Sequence, residues 1–280
     1  MPAAQAQATV TRTCVGQISA HMPVLLSEWT PEALHQIRVA LRRWRSAQTV
    51  FQDLGGGGAL ADDLKWLAGE LDEARDLDVF EQTGLPAGRK GGPHDLSALT
   101  EALEMVRNEA HARAVRALQS DRCQRLLWDS TRGAEADPDP SATPPLSAYD
   151  CAKAALDHQW RVLLHRGRRL GKLGPSARHR LRIAAKKLRY TAELFGPLFE
   201  HPRRQRRLVA ALRKLQGVLG DMNDIHVGRA LSERLAMLAG EPQAAFTAGL
   251  LAGERLRRED RLLARSATAY RALCEVKPFW

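Results

Sequence analysis

Residues 35–51 read HQIRVALRRWRSAQTVF and guide the interpretation of the rest of the chain. On a helix, at about 100° per residue, His35, Arg38, Arg42 and Arg45 lie within about 80° of one another, and the apolar side chains gather on the opposite side. Like charges at this spacing repel one another slightly, so helix stability alone does not favour the pattern. Anions bound along the stripe would offset the repulsion. The stretch therefore predicts an amphipathic helix with a cationic face suited to anions.

The same pattern returns 144 residues later, in residues 179–195, HRLRIAAKKLRYTAELF. Five of the 17 aligned positions are identical, and the basic stripe is reproduced by His179, Arg182, Lys186 and Arg189. A single charged helix face is usually just solvated. Two stripes with matched histidine and basic positions favour a shared ligand.

A second block shows that the whole chain is an internal repeat. Residues 75–79 (RDLDV) align with residues 223–227 (NDIHV) at an offset of 148, so four residues were inserted between the two blocks in the second half. Two similar helical bundles with internal pseudo-symmetry follow from this repeat.

Composition predicts an all-α fold. The 280 residues include 43 Ala and 40 Leu, which form helices well, but only 13 Val and 4 Ile, which are typical of strands. Hydrophobic residues make up 44% of the chain, which is enough for a sizeable core. Helical periodicity runs through residues 12–28, 32–53, 59–82, 96–133, 147–173, 176–199, 203–220, 224–239 and 242–275.

The breaks between these segments suggest where the domains divide. Residues 55–58 and 85–93 are rich in Gly and Pro and are predicted as loops. Residues 134–146 (AEADPDPSATPPL) hold four Pro and three acids and are predicted as a linker. The predicted organisation is a first bundle in residues 1–133, this linker, and a strongly basic second bundle in residues 147–280.

Positive charge is concentrated in the second half. Residues 1–146 carry a balance of −5 and residues 147–280 one of +15, which together give the net charge of +10. Residues 161–214 contain 17 Lys or Arg against two Glu. This stretch predicts a polyanionic partner, which could be nucleic acid, an anionic membrane surface or a phosphate polymer.

The cysteines and the hydropathy pattern indicate the compartment. Cys14, Cys123, Cys151 and Cys274 lie far apart without a C-x-x-C motif, which argues against a cysteine-only zinc module or a dense disulfide framework. No stretch reaches the roughly 18 apolar residues of a membrane span, and the N-terminus lacks the pattern of a signal peptide. We therefore expect a cytoplasmic protein without a membrane partner and without a cofactor.

These motifs resemble those of the CHAD family, the conserved histidine α-helical domain. The resemblance rests on the two repeated helices, on LAGELDEARDLDVF (67–80), on LQGVLGDMNDIHV (215–227) and on the final VKPFW. It covers nearly the whole chain in the family's order and spacing. Gln36 and Trp44 depart from the acidic and aliphatic residues common at these positions, and neither belongs to the basic stripe.

The resemblance implies two antiparallel four-helix bundles related by a pseudo-twofold axis, with a basic cavity or groove between them. It implies that the protein binds inorganic polyphosphate and gathers on polyphosphate granules. Many family members are fused to a triphosphate-tunnel domain that acts on polyphosphate-like substrates. This chain has no room for that domain, so a stand-alone binder is expected.

The residues expected to bind polyphosphate belong to the two stripes and their immediate basic neighbours: His35, Arg38, Arg42, Arg43, Arg45, His179, Arg182, Lys186, Lys187 and Arg189. A supporting set comprises Arg75, Asp76, Asn223, Asp224, Arg161, Arg168, Arg207 and Lys214. For the two histidines, a structural hydrogen bond is as good an interpretation as a phosphate contact. The aspartates are interpreted mainly as caps or as partners that hold arginine side chains.

Two alternative functions belong to other classes. The segment DMNDIHV could hold a divalent metal for phosphoanhydride hydrolysis, although no H-E-x-x-H motif is present, and we expect no catalytic residues. Nucleic-acid binding through backbone phosphates would also suit the net charge. Only 15 aromatic residues occur in the chain, so platforms for base stacking are scarce. Nucleic acid is therefore expected only as a weaker competitor of polyphosphate.

Overall fold

The computed structural model describes residues 1–51, 57–83, 96–135 and 146–280. Within these ranges the chain is built from α-helices and contains no β-strand, so the all-α prediction is confirmed. The helices are α1 (Ala3–Ser27), α2 (Pro31–Val50), α3 (Gly57–Thr83), α4 (Ser97–Gln119), α5 (Asp121–Glu135), α6 (Ala148–Gly167), α7 (Pro175–Phe195), α8 (Pro202–Ala239), α9 (Pro242–Leu256) and α10 (Glu259–Cys274).

Several predicted helix boundaries were wrong. The segment 96–133 is two helices, because Ser120 leaves the helix and its hydroxyl accepts a hydrogen bond from Cys123 N (3.2 Å), which caps α5. Residues 203–220 and 224–239 instead form the single helix α8, since Met222 and Ile225 are buried at helical spacing across the predicted break. The segment 242–275 divides into α9 and α10.

The helices that carry the two basic stripes start with clear signals. Thr30 caps α2 by accepting a hydrogen bond from Ala33 N, and Pro31 follows it at the first helical position. Pro175 likewise stands at the first helical position of α7, after Gly174, which forms no side-chain cap. Each helix buries its apolar face, so its basic face is turned away from the core.

Within the described ranges, two hydrophobic cores hold the helices together, and both halves of the sequence contribute to each. The first core is built mainly from α1 to α5, but it also contains Leu235 of α8 and Ala244 of α9. The second core is built mainly from α6, α7, α8 and α10, but it also contains Val50 and Phe51 from the end of α2. Phe51 meets Phe195 edge to face at a centroid distance of 5.3 Å, which brings α2 and α7 together.

The predicted loops and linker fall largely outside the described residues. This applies to residues 52–56, to residues 84–95 and to residues 136–145 of the predicted linker 134–146. The division into bundles at 1–133 and 147–280 stays a prediction, as do the four-helix composition and the pseudo-twofold axis.

Two pairs of acid and histidine occupy corresponding positions of the repeat. Asp78 of α3 lies 2.9 Å from His111 of α4 (Oδ1 to Nε2), and His226 of α8 lies 3.7 Å from Glu259 of α10 (Nε2 to Oε1). Each member of the second pair stands 148 positions after its counterpart, the offset that already relates the second repeated block. Acid and histidine have exchanged places while the contact is kept. The repeat therefore extends as far as α4 and α10.

Candidate polyanion-binding cavity

A cavity of about 1590 Å³ lies where α2 and α3 from the first half meet α7, α8 and α10 from the second. Its described lining contains eight arginines and three lysines against five aspartates. The local excess of positive charge is therefore larger than the average over the chain. Such a surface attracts anions, and the concave shape strengthens the attraction because low-dielectric walls focus the field.

The cavity brings together most of the residues predicted from the two stripes. Four of its lining residues come from the α2 stripe and four from α7, and four more belong to the predicted supporting set. They are His35, Arg38, Arg42, Arg45, His179, Arg182, Lys186, Lys187, Arg75, Asp76, Asn223 and Asp224.

Six other predicted residues do not line this cavity: Arg43, Arg189, Arg161, Arg168, Arg207 and Lys214. Arg189 is tied to protein instead, since it donates to Gln216 Oε1 (2.8 Å) and to Glu193 Oε1 (3.0 Å). Arg161 donates to the carbonyl of Asp157 (3.3 Å), and Arg168 lines a second, smaller cavity. Arg43 is exposed on α2 and acts electrostatically on Cys14 of α1.

Sequence reasoning missed several residues that line the cavity. Lys65 and Asp72 of α3 and Tyr190 of α7 are among them. Three arginines at the start of α10, Arg258, Arg261 and Arg265, are the largest omission. Their spacing of three and four residues was the available signal, but they lie outside both repeated blocks.

Three arginines on the facing helices carry donor atoms that no protein acceptor satisfies. The Nε atoms of Arg38, Arg42 and Arg182 are shielded from solvent and have no hydrogen-bond partner within the described residues. A buried donor of a charged group that forms no hydrogen bond destabilises the folded protein. All three side chains line one cavity, so a single anionic ligand there could contact all three guanidinium groups.

The surroundings hold these guanidinium groups in place. Arg42 lies over the ring of Tyr190, with its Cζ 5.8 Å from the ring centroid. Arg182 lies against α8 at Gly220, where a β-carbon would be in ordinary van der Waals contact with the Arg182 Nε at 3.8 Å. Arg38 forms an ion pair with Asp72. The basic face is therefore pre-organised before any ligand arrives.

Comparison with known proteins identifies the family. The family description "CHAD domain" matches residues 9–233. The chain belongs to the CHAD family. A crystal structure of the CHAD domain from the plant Ricinus communis is similar to this CHAD chain with a TM-score of 0.80 and 29% identity, covering 99% of this chain and 93% of that one. PptA from Streptomyces chartreusis shares the fold, with a TM-score of 0.69 and 17% identity over 97% of this chain and 100% of that one.

No curated protein matches the sequence. Membership of the CHAD family supports a general role related to polyphosphate.

Among the described helices, none has both the length and the apolar character needed to cross a bilayer. Within the same ranges, no group of three or more His, Cys, Asp or Glu side chains is arranged to hold a metal ion.

Lys186 is the most strongly perturbed cation of the CHAD cavity. Burial, followed by the positive charges of Arg182, Arg42, Arg38 and Arg189, lowers the pKa of Lys186 from 10.5 to about 8. The neighbouring charges that lower it are on both α2 and α7, so the two stripes are close enough to repel each other across the cavity. An anion between them would relieve this repulsion.

The two histidines of the CHAD motif have different surroundings. His179 is exposed, and its Nδ1 lies 2.9 Å from Asn223 Oδ1, which leaves Nε2 for another partner. His35 is half-buried, and burial together with the charges of Arg75 and Arg42 lowers its pKa below the usual 6.5. Both histidines line the cavity, so a phosphate contact and a structural role are compatible for each.

Aspartates line part of the same cavity and limit where an anion can lie. Loss of solvent around Asp76 raises the pKa of its carboxyl, and the nearby Asp72 and Asp224 add to this effect. Arg38 and Arg182 oppose it. The carboxylates of α3 and α8 therefore approach one another beside the basic stripes, and a polyanion would favour the side of the cavity that the stripes occupy.

Proposed function

We propose that this CHAD protein binds inorganic polyphosphate along the basic stripes of α2 and α7. The observation that carries the proposal is that basic side chains of both stripes, Arg38 and Arg42 of α2 with Arg182 and Lys186 of α7, line one cavity. The planar guanidinium group of arginine can donate two parallel hydrogen bonds to phosphate oxygens, and every unit of a polyphosphate chain carries such oxygens. The cavity exceeds the roughly 300–1,000 Å³ typical of small-ligand pockets, which suits a polymer better than a single phosphate.

The aromatic residues of the cavity favour polyphosphate over nucleic acid. Phe80 is buried in the first core. The ring of Tyr190 is already in contact with Arg189, whose Cζ lies 4.5 Å from the ring centroid, and with Arg42. Bases need accessible rings for stacking, and these two rings supply little such surface. A ligand without bases fits the cavity better.

Titration calorimetry with polyphosphates of defined length, with double-stranded DNA as the comparison ligand, tests this proposal. We expect tighter binding of polyphosphate, and a logarithm of affinity that falls linearly with the logarithm of salt concentration because bound cations release condensed counterions. An affinity independent of salt would contradict binding along a charged stripe. Tighter binding of DNA than of polyphosphate would support the alternative function.

The pH dependence of binding should report on Lys186. In the free protein this side chain loses its proton near pH 8, and a bound phosphate chain would raise its pKa. Affinity for long-chain polyphosphate, whose internal phosphates stay ionised, should therefore fall as the pH rises from about 8 towards 9.5. The variant Lys186→Arg keeps its charge and should bind with little change over this range. An equal decline of affinity in the wild-type protein and the variant would show that groups other than Lys186 cause the pH dependence.

His35 should act in a lower window. Its pKa is lowered below 6.5 in the free protein, and a bound phosphate chain would raise it, so binding should strengthen as the pH falls through about 6.5. Exchanging His35 for Gln should reduce this strengthening of binding between pH 6.5 and 5.5. If the variant loses its helical circular dichroism instead, the structural interpretation of His35 is correct.

We propose binding without turnover. Pure protein incubated with polyphosphate and Mg²⁺ or Mn²⁺ should release no phosphate above the protein-free control. Release that depends on Asp224 or His226 of the DMNDIHV segment would establish the metal-dependent hydrolase instead.

In the cell, we propose a cytoplasmic protein that collects on polyphosphate granules. A long polymer can bridge several protein copies, which favours collection on condensed polyphosphate. A fluorescent fusion should form foci that coincide with the granules and become diffuse in cells unable to make polyphosphate. Foci that persist there, or that follow the nucleoid, would contradict this proposal.

A further inference from the structure

We propose that a third basic row, formed by Arg258 at the N-cap of α10 and by Arg261 and Arg265 of that helix, extends the binding path so that the protein prefers long polyphosphate chains to short ones. The inference rests on the proposed polyphosphate binding and concerns the length of ligand that the cavity accepts. These residues lie beyond residues 9–233, which match the family description.

The three arginines form one continuous row on the cavity wall. At about 100° per residue they fall within about 60° of one another, and they span about 10 Å along the axis of α10. All three are exposed, and all three line the cavity. Leu262 follows the middle arginine and is buried, so the row runs along the edge of the face that α10 packs against the core.

The row occupies a different wall from the two predicted stripes. α10 packs mainly on α8, whereas the stripes belong to α2 and α7. A phosphate chain held by the stripes must therefore continue across the cavity to reach α10. A short oligophosphate can satisfy the stripes alone, and only a longer chain can contact the stripes and the row together.

In the first half, only the middle arginine of the row has a counterpart. At the offset of 148, the positions of the row correspond to Ala110, Arg113 and Ala117 of α4. Both alanines are buried in the first core, and Arg113 is in an ion pair with Glu73. At the two outer positions, the second half thus has cations that line the cavity where the first half has core alanines. This asymmetry is not needed for folding of the repeat, which the first half achieves with alanine at these two positions.

An ion pair fixes the start of α10 in the orientation that the row requires. Glu259 of α10 pairs with Arg178, which is buried in the first turn of α7, and lies 3.7 Å from His226 of α8. Glu259 points away from the row by roughly 100° or more around the helix. The acid therefore ties α10 to α7 and α8 without neutralising the three arginines.

The experiment compares two ligands and two variants of equal charge. The row variant carries Arg258→Gln, Arg261→Gln and Arg265→Gln, and the control carries Arg203→Gln, Arg204→Gln and Arg206→Gln at the exposed start of α8, away from the cavity. Tripolyphosphate and a long-chain polyphosphate are each titrated by calorimetry into both variants and the wild-type protein. The row variant should lose about tenfold in affinity for the long chain, because exposed cations each contribute modestly, and less than about twofold for tripolyphosphate.

The outcomes separate this inference from the proposed function. If the wild-type protein binds neither ligand, the proposed function fails. If it binds the long chain and the row variant binds that chain as well as the control does, the row is a solvated surface and the inference is wrong. Equal losses for both ligands would also overturn it, because the row would then belong to the primary site. A selective loss for the long chain in the row variant alone supports it.

Discussion

Exchanging Arg42, Arg182 and Lys186 together for Gln should lower the affinity for polyphosphate by about a hundredfold or more. Each side chain lines the cavity, and two of them carry a shielded Nε without a protein acceptor. A hydrogen bond to a charged group is worth about 1.5–3 kcal/mol, and about 1.4 kcal/mol corresponds to a tenfold change in affinity. Calorimetry at fixed salt concentration measures the loss.

The same variant should fold at least as well as the wild-type protein. Burial lowers the pKa of both Lys186 and Arg42, which means that the folded state disfavours their charges. Removing those charges relieves repulsion between α2 and α7, so the midpoint of thermal unfolding should stay the same or rise. This result would separate a loss of binding from a loss of structure.

The control for this prediction is the triple variant of Arg203, Arg204 and Arg206, which removes the same charge from the exposed start of α8. It should cost less than about threefold in affinity, because exposed charges act through a screened, long-range attraction. Equal losses in the two triple variants would mean that polyphosphate is attracted by net charge and has no defined site.

The second large effect concerns stability. Asp78 is fully buried on α3, and its carboxylate accepts a hydrogen bond from Trp29 Nε1 (3.2 Å), contacts His111 Nε2 (2.9 Å) and lies 3.4 Å from Arg107 Nε. The ring of Trp29 stacks on His111 at a centroid distance of 3.7 Å. The carboxylate therefore joins α3 to α4 and to Trp29, which lies between α1 and α2.

Replacing Asp78 by Ala should destabilise the protein by about 3–5 kcal/mol, because it removes the buried acceptor that Trp29, His111 and Arg107 share. Urea unfolding followed by circular dichroism measures this loss. The matched control is Asp62→Ala, an exposed aspartate of the same helix, which should change the free energy of unfolding by less than about 0.5 kcal/mol. A loss below about 1 kcal/mol for Asp78→Ala would show that the network adds little to stability.

The stripes of α2 and α7 could be predicted from sequence because they are local. Helical periodicity alone places Arg38 and Arg42, or Arg182 and Lys186, on one face, and the internal repeat shows that the two faces correspond. The same reasoning also placed Arg189 on the stripe. Glu193 stands four residues further along, and in the structure it draws this guanidinium away from the cavity.

The remaining features depend on which helices meet, and a single sequence does not specify that. Asp78 is an ordinary acid in the sequence until α4 brings His111 and Arg107 to it. The arginines of α10 become part of the cavity only because Leu262 anchors that helix in the second core. The break at Ser120 is different, because its capping hydroxyl was visible in the sequence but was outweighed by continuous helical periodicity around it.

A structure of the protein with bound polyphosphate would show where the ligand lies. We predict a chain of phosphate density along the cavity between α2 and α7, with phosphate oxygens within hydrogen-bond distance of Arg38, Arg42 and Arg182. Phosphate density that continues to Arg261 would show that the ligand also reaches α10. Phosphate bound only on the exposed start of α8, with the cavity free of it, would contradict binding along the two stripes.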